Sequence, residues 1–158
     1  MSLLDDLHQI CLDKKVSIAV AESCTSGLIA SKLTLKSGSS AFFKGGVVAY
    51  QNEIKVNVLG VDKQVILKHT EVSAEVVVEM AEGVRKSFLT DFSIATSGYA
   101  GPSGGTNNNP IGTVFIAVSS FDSEVVEKFV FIGNRQCIVN QAAEKSLELL
   151  YQVVKKQQ

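Results

Sequence analysis

Apolar residues in this chain fall into two alternating patterns, short unbroken runs and longer stretches in which they recur three and four positions apart. Leu3, Leu4, Leu7, Ile10 and Cys11 have the second pattern. Asp5 and Asp6 fall in the first turn, where negative charge favours the helix dipole, so an amphipathic helix of about a dozen residues is predicted there. Residues 16–21 (VSIAVA) form a β-branched run without polar alternation, as in a strand covered on both faces. The run stops at Glu22-Ser23-Cys24-Thr25-Ser26-Gly27, and helical spacing resumes through Leu28, Ile29, Leu33 and Leu35. A helix over 25–35 would place this small polar cluster at a strand-to-helix junction, where open α/β sheets hold their sites.

Residues 45–50 predict a second buried strand, followed by a short helix from Gln51 to Leu59 closed by Gly60. A polar helix-to-helix loop around His69 leads to the clearest helix, 73–89, with Ser73 as N-cap and Val76, Val77, Met80, Val84 and Phe88 as its inward stripe. Residues 92–96 form a third strand ending in a glycine-rich turn over 97–106. Residues 111–118 and 125–132 predict an antiparallel hairpin, and a final helix over 134–154 turns Ile138, Ala142, Leu149, Leu150 and Val153 inward. The alternation predicts an α/β fold, a three-layer α/β/α sandwich whose five-stranded mixed sheet is mostly parallel with one antiparallel strand. At 158 residues, a single domain over 1–158 is expected.

Composition narrows the function. Fifteen Lys and Arg against 16 Asp and Glu, for a net charge of -1, lack the positive excess that backbone-dominated nucleic-acid binding requires. No run reaches the ~18 apolar residues of a membrane span. Cys11, Cys24 and Cys137 are an odd, widely spaced set, and the only histidines are His8 and His69, a poor basis for disulfides or zinc. A reduced, soluble, cytoplasmic protein with a small-molecule or protein partner is expected, and neither nucleic acid nor membrane.

Three segments concentrate chemistry: 22–27, 50–55 and 97–106. If the strands before them are parallel neighbours, all three emerge at one sheet edge and share a pocket. In the first, the hydroxyls of Ser23, Thr25 and Ser26 and the Cys24 thiol sit where helix amides can hold an anion or an oxyanion. From spacing alone, capping without catalysis is the simpler reading. Cys24 lacks a histidine to activate it and reads as a small buried filler. A serine without a histidine can be activated by a lysine of lowered pKa, and Tyr50 and Lys55 are placed to point back across the strand ends. Read alone, Lys55 is as ordinary as any solvated helix lysine. Gly98, Gly101, Gly104 and Gly105 would let backbone amides approach a ligand, although neither a Walker loop nor GxGxxG spacing is present. Arg135, opening the last helix, could supply a fixed charge to a phosphate or be a plain surface arginine.

The segments Ala21-Glu22-Ser23-Cys24-Thr25-Ser26-Gly27, Gly45-Gly46-Val47-Val48-Ala49-Tyr50-Gln51-Asn52-Glu53-Ile54-Lys55 and Ser97-Gly98-Tyr99-Ala100-Gly101-Pro102-Ser103-Gly104-Gly105 resemble, in order, the AESCTGG, GG-x-V-x-Y-x-N-x-x-K and SG-x-AGP-x-GG signatures of the CinA C-terminal domain family. The resemblance implies a nicotinamide-nucleotide amidase that converts nicotinamide mononucleotide to nicotinate mononucleotide and ammonia in pyridine nucleotide recycling, without metal or cofactor. Carried onto this sequence, it implies Ser23 as nucleophile, Lys55 as general base and Tyr50 as a nearby hydroxyl that orients or relays. Glu22, Cys24, Thr25, Ser26, Gly27, Gly46, Ser97, Gly98, Ala100, Gly101, Gly105 and Arg135 would surround the substrate. Ser26 stands where the family usually has glycine, and Asn134 and Val139 where it often has aspartate and a second arginine. Many members carry a larger N-terminal domain, so this chain is expected to be the stand-alone form, and a homodimer. The alternative is a non-catalytic nucleotide-binding or regulatory module with the same pocket; a cysteine hydrolase using Cys24 is a third reading.

Overall fold

The computed structural model describes residues 2–157. Helix α1 (Leu3–Lys14) begins with a capping box, in which the Ser2 hydroxyl accepts from the Asp5 amide and the Asp5 carboxylate accepts from the Ser2 amide. Strand β1 (Ile18–Glu22) leads to a short helix α2 (Leu28–Leu33), and β2 (Phe43–Val48) to helix α3 (Asn52–Asn57). Helices α4 (Lys63–His69) and α5 (Ala74–Phe88) precede β3 (Phe92–Gly98), the hairpin β4 (Thr113–Ser120) and β5 (Glu124–Val130), and the long helix α6 (Arg135–Lys156).

The strands form one five-stranded sheet in the order β2-β1-β3-β4-β5. β1 pairs in parallel with β2 and β3, while β4 pairs antiparallel with both β3 and β5, so β4 alone runs against the rest. This is the mixed α/β sandwich that the patterning predicts. Among the described residues no helix is long and apolar enough to cross a membrane.

The two sheet faces differ in size of side chain. Ile18, Val20, Ile94, Ile116 and Val118 point into one core with Leu7 and Cys11 of α1, Ile29 of α2, and Ile138, Leu147 and Leu150 of α6. On the other face the same strands carry Ala19, Ala21, Ala95 and Ala117, against Val76, Val77, Met80 and Val84 of α5. Small residues on that face let α5 lie close to the sheet while its own valines fill the space. Each fully buried Val, Leu, Ile or Met contributes about 1.5–3 kcal/mol.

Two boundaries differ from the sequence reading for local reasons. Residues 63–69, expected as loop, form α4, started by Asp62, whose carboxylate accepts from the Gln64 amide. The helix expected over 25–35 begins only at Leu28, because Ser26 (φ 44°) and Gly27 (φ 98°) are left-handed and break the helical path.

Gly83 lies inside α5, where an exposed Gly→Ala change normally stabilises a helix by up to about 1 kcal/mol. An alanine Cβ there would meet the Leu59 carbonyl at 1.9 Å. Gly83→Ala should therefore lower stability by about 1–3 kcal/mol in urea denaturation; a gain would show that the Leu59 turn yields freely.

Candidate active site

The parallel strands end level with one another. Glu22 of β1 pairs with Val48 of β2 and Thr96 of β3, and the ladder extends through Ala49 N–H to the Glu22 carbonyl (2.8 Å) and Ser23 N–H to the Thr96 carbonyl (3.1 Å). Ser23 thus sits one residue beyond the central strand, flanked by the segments that leave β2 and β3. All three chemistry-bearing segments meet there, in a cleft of about 210 Å³ lined by Ser23, Cys24, Tyr50, Lys55, Ser97, Gly98, Ala100, Gly101 and Arg135, together with Glu71, Val72, Tyr99 and Ser103.

Lys55 is the central feature. α3 starts directly after β2 and turns this residue inward, so that its side chain is only 1% exposed. Its Nζ lies 3.2 Å from Ser23 Oγ and donates to the Tyr50 carbonyl at 3.1 Å. Among the described residues no carboxylate pairs with it. Burial pushes the amine's pKa below its ordinary value, an effect that the nearby Glu71 charge partly opposes. A lysine in this state can be a neutral base at the hydroxyl it touches.

Cys24, although beside Ser23, is 7% exposed, and burial pushes its thiol up to about 12. A thiol held protonated at neutral pH is a poor nucleophile, which disfavours the cysteine-hydrolase reading.

Several expected ligand contacts have other work. The Glu22 carboxylate turns away from the cleft and accepts from the Ile29 and Ala30 amides at 2.9 and 3.0 Å. The amides at the start of α2, expected to hold an oxyanion, are therefore occupied from within the protein. Thr25 Oγ1 bonds Thr96 Oγ1 at 2.8 Å, and Ser26 and Gly27 shape the turn. Gly46 packs on Val20 and Gly105 against Ile111, so none of Glu22, Thr25, Ser26, Gly27, Gly46 and Gly105 lines the cleft. Gly98 does, and a Cβ there would lie 2.6 Å from the Thr113 carbonyl, so only glycine lets β3 and β4 close at this point.

The Tyr50 hydroxyl does not reach the Ser23–Lys55 pair: it accepts from Arg135 Nη2 at 2.9 Å, and the Tyr50 carbonyl is what orients Lys55. Arg135 Nη1 donates to the Gly101 carbonyl at 2.7 Å, so the guanidinium ties the glycine loop to Tyr50 at the mouth of the cleft. Asn134 caps α6 by accepting from the Cys137 amide, a task asparagine and aspartate share.

Glu71 and Tyr99 were not singled out by sequence. Glu71 lies in the connection between α4 and α5, far from every motif, and the bond from Ser97 Oγ to its carbonyl (2.7 Å) helps tie it to the cleft. A lone acid in a loop carries no signal of its own.

Among the described residues no group of three or more His, Cys, Asp or Glu side chains is arranged to hold a metal ion. A larger hollow of about 500 Å³ lies at the opposite end of the sheet, lined by Ser120, Asp122 and Lys156 among others, and has no comparable pair of reactive groups.

An α/β/α sandwich with a serine and a buried lysine beyond its central strand is the frame on which the comparisons fall. Residues 1–154 match the model of the CinA C-terminal domain, and the chain belongs to that family. It is 45% identical to a CinA-like protein of Flavobacterium psychrophilum over 95% of this chain and 36% of that protein, and 41% identical to a CinA-like protein of Leptospira biflexa over 94% and 36%. The chain thus spans about a third of the length of the curated relatives it matches. Among solved structures it is similar to the competence damage-inducible protein A (ComA) of Klebsiella pneumoniae, with TM-score 0.95 and 32% identity over 99% of this chain and 97% of that one. A competence/damage inducible protein, CihA, of Agrobacterium tumefaciens superposes with TM-score 0.91 and 30% identity over 99% and 100%.

The position of Glu22 makes a direct prediction. Glu22→Ala would leave two amides at the start of α2 without their acceptor, and should cost about 2–3 kcal/mol of stability in urea. An unchanged midpoint would mean that these amides are satisfied in another way.

Proposed function

We propose that this chain is an amidohydrolase that removes the carboxamide nitrogen of nicotinamide mononucleotide as ammonia, leaving nicotinate mononucleotide, through a Ser23–Lys55 pair. The observation that carries the reading is the 3.2 Å approach of the buried Lys55 amine to Ser23 Oγ. Family membership and the cleft that surrounds the pair support it.

In this reading, neutral Lys55 takes the Ser23 proton as Oγ attacks the amide carbon. The Lys55 ammonium then gives that proton to the departing nitrogen, ammonia leaves, and an ester on Ser23 remains. Neutral Lys55 next draws a proton from water, which attacks the ester carbon; the tetrahedral species collapses, the proton returns to Ser23 Oγ, and the free carboxylate departs. The Tyr50 carbonyl keeps the amine aimed at Ser23 in both halves. With the Ile29 and Ala30 amides held by Glu22, the Cys24 and Thr25 amides in the turn after Ser23, which make no backbone hydrogen bond among the described residues, are the candidate donors for the oxyanion. Arg135 stands at the cleft mouth, where an anionic phosphate would meet its charge.

The deciding assay is ammonia release from nicotinamide mononucleotide by EDTA-treated protein. Ser23→Ala should reduce turnover by about 10³-fold or more, while Cys24→Ala leaves it within a few-fold. A fully active Ser23→Ala protein would end the Ser–Lys proposal, and saturable nucleotide binding without ammonia release would favour a binding module.

Lys55→Ala should lower kcat by about 10²–10⁴-fold with little change in KM. Only the neutral amine accepts a proton, so activity should be lost as pH falls through the lowered Lys55 pKa and should reach its plateau below the ordinary lysine value of 10.5. A rate independent of pH across this limb would remove Lys55 as base.

A further inference from the structure

Among the described residues Glu71 is the only acidic residue that lines the cleft, and it has no assigned work. Among the described residues it forms no side-chain hydrogen bond and no ion pair, although Lys55 and Arg135 line the same space. Its backbone is nevertheless held firmly. Ser97 Oγ donates to the Glu71 carbonyl at 2.7 Å, Asn109 Nδ2 to the next carbonyl, that of Val72, at 3.3 Å, and Ser73 Oγ to the Thr70 carbonyl at 2.9 Å. Thr70, just before it, is held at φ 69°, a conformation that is strained for a threonine and persists only where surrounding contacts enforce it. An acid displayed in this way, with no side-chain partner among the described residues, is suited to a partner from solution.

The chemistry of that partner follows from the neighbours. Glu71 is close enough to Lys55 and to the Tyr99 phenol for its charge to be felt by both. A ligand whose carbonyl sits at Ser23 Oγ would therefore place the ring bearing that carbonyl within reach of a fixed negative charge and an aromatic side chain. This pairing attracts a delocalised cation. Arg135, with opposite sign, stands at the mouth near Tyr50 and Gly101. The charges thus suit a ligand that is cationic beside its reacting amide and anionic farther out.

We propose that Glu71 is the specificity-determining residue that reads the positive charge of the substrate's pyridinium ring, so that the site takes the N-ribosylated, cationic nicotinamide and discriminates against the same amide on a neutral ring. This deepens the amidase reading and rests on it. Discrimination arises because a neutral ring would cover the carboxylate and strip it of water without supplying a countercharge.

The test uses binding rather than turnover. In the full chain carrying Ser23→Ala, the affinities of nicotinamide mononucleotide and of its reduced dihydropyridine form are compared by calorimetry; the two ligands share amide, ribose and phosphate and differ in ring charge. The oxidised, cationic form should bind at least about tenfold more tightly, a modest charge–charge effect for a half-buried acid. Adding Glu71→Gln should bring the ratio close to one by weakening the cationic ligand alone, and Glu71→Asp should keep most of the preference. Thermal melts of the variants report whether each is folded. Equal affinities with Glu71 present, a preference that survives Glu71→Gln, or binding of neither nucleotide would overturn the proposal. Failure of the amidase reading is seen separately, as absence of ammonia release by the chain with Ser23 intact.

Discussion

An amine kept out of water beside a serine hydroxyl is the constraint on which this site depends. A buried ammonium is expensive, and among the described residues no carboxylate is bonded to Lys55 to offset the cost. Among the described residues the amine has the Tyr50 carbonyl and Ser23 Oγ as its partners, so its position is tolerable only while both stay in place. Both are set by the sheet. Tyr50 follows β2 and Ser23 follows β1, and the parallel register that levels Glu22 with Val48 carries the two groups to one height. A slip of one residue would send alternate side chains to the other face and separate the pair.

The same economy of position explains the turn after Ser23. Glu22, Thr25, Ser26 and Gly27 look like ligand groups in the sequence, yet they hold the turn to the fold. The Glu22 carboxylate takes the first free amides of α2, and Thr25 ties the turn to Thr96 of β3. Left-handed Ser26 and Gly27 delay the helix to Leu28, which leaves Ser23 in a turn at the cleft rather than capped into the helix. Small residues do the matching work beneath. The alanines of β1, β3 and β4 admit α5, and α5 in turn carries the connection in which Glu71 lies.

Charge is distributed across the cleft rather than paired. Arg135 bridges Gly101 and Tyr50 at the mouth, Lys55 is sunk at the serine, and Glu71 stands free. Compact clefts with separated charges of both signs favour ligands whose own charges are separated in the same order, because each wrong placement leaves a desolvated charge without a partner.

Sequence alone was enough for the five strands, for every long helix, for the layer order and for the three segments that converge, because periodicity reports burial and burial follows from packing on both faces of a sheet. The clustering of Ser23, Tyr50 and Lys55 in short motifs made the side chains that meet in the cleft visible. Their partners were not visible. Whether the Tyr50 hydroxyl or its carbonyl meets Lys55, whether Glu22 faces ligand or helix, and that Glu71 reaches the cleft at all depend on distances between residues remote in the chain. Helix α4 was missed: its Val65-Ile66-Leu67 run, bounded by Gln64 and Lys68, shows no helical spacing, and the helix turns only Ile66 fully inward. Local spacing encodes which face of an element is buried, a property of neighbours three or four residues apart. The direction in which a polar group spends its hydrogen bonds is decided by whichever acceptor or donor the completed fold brings within about 3 Å of it.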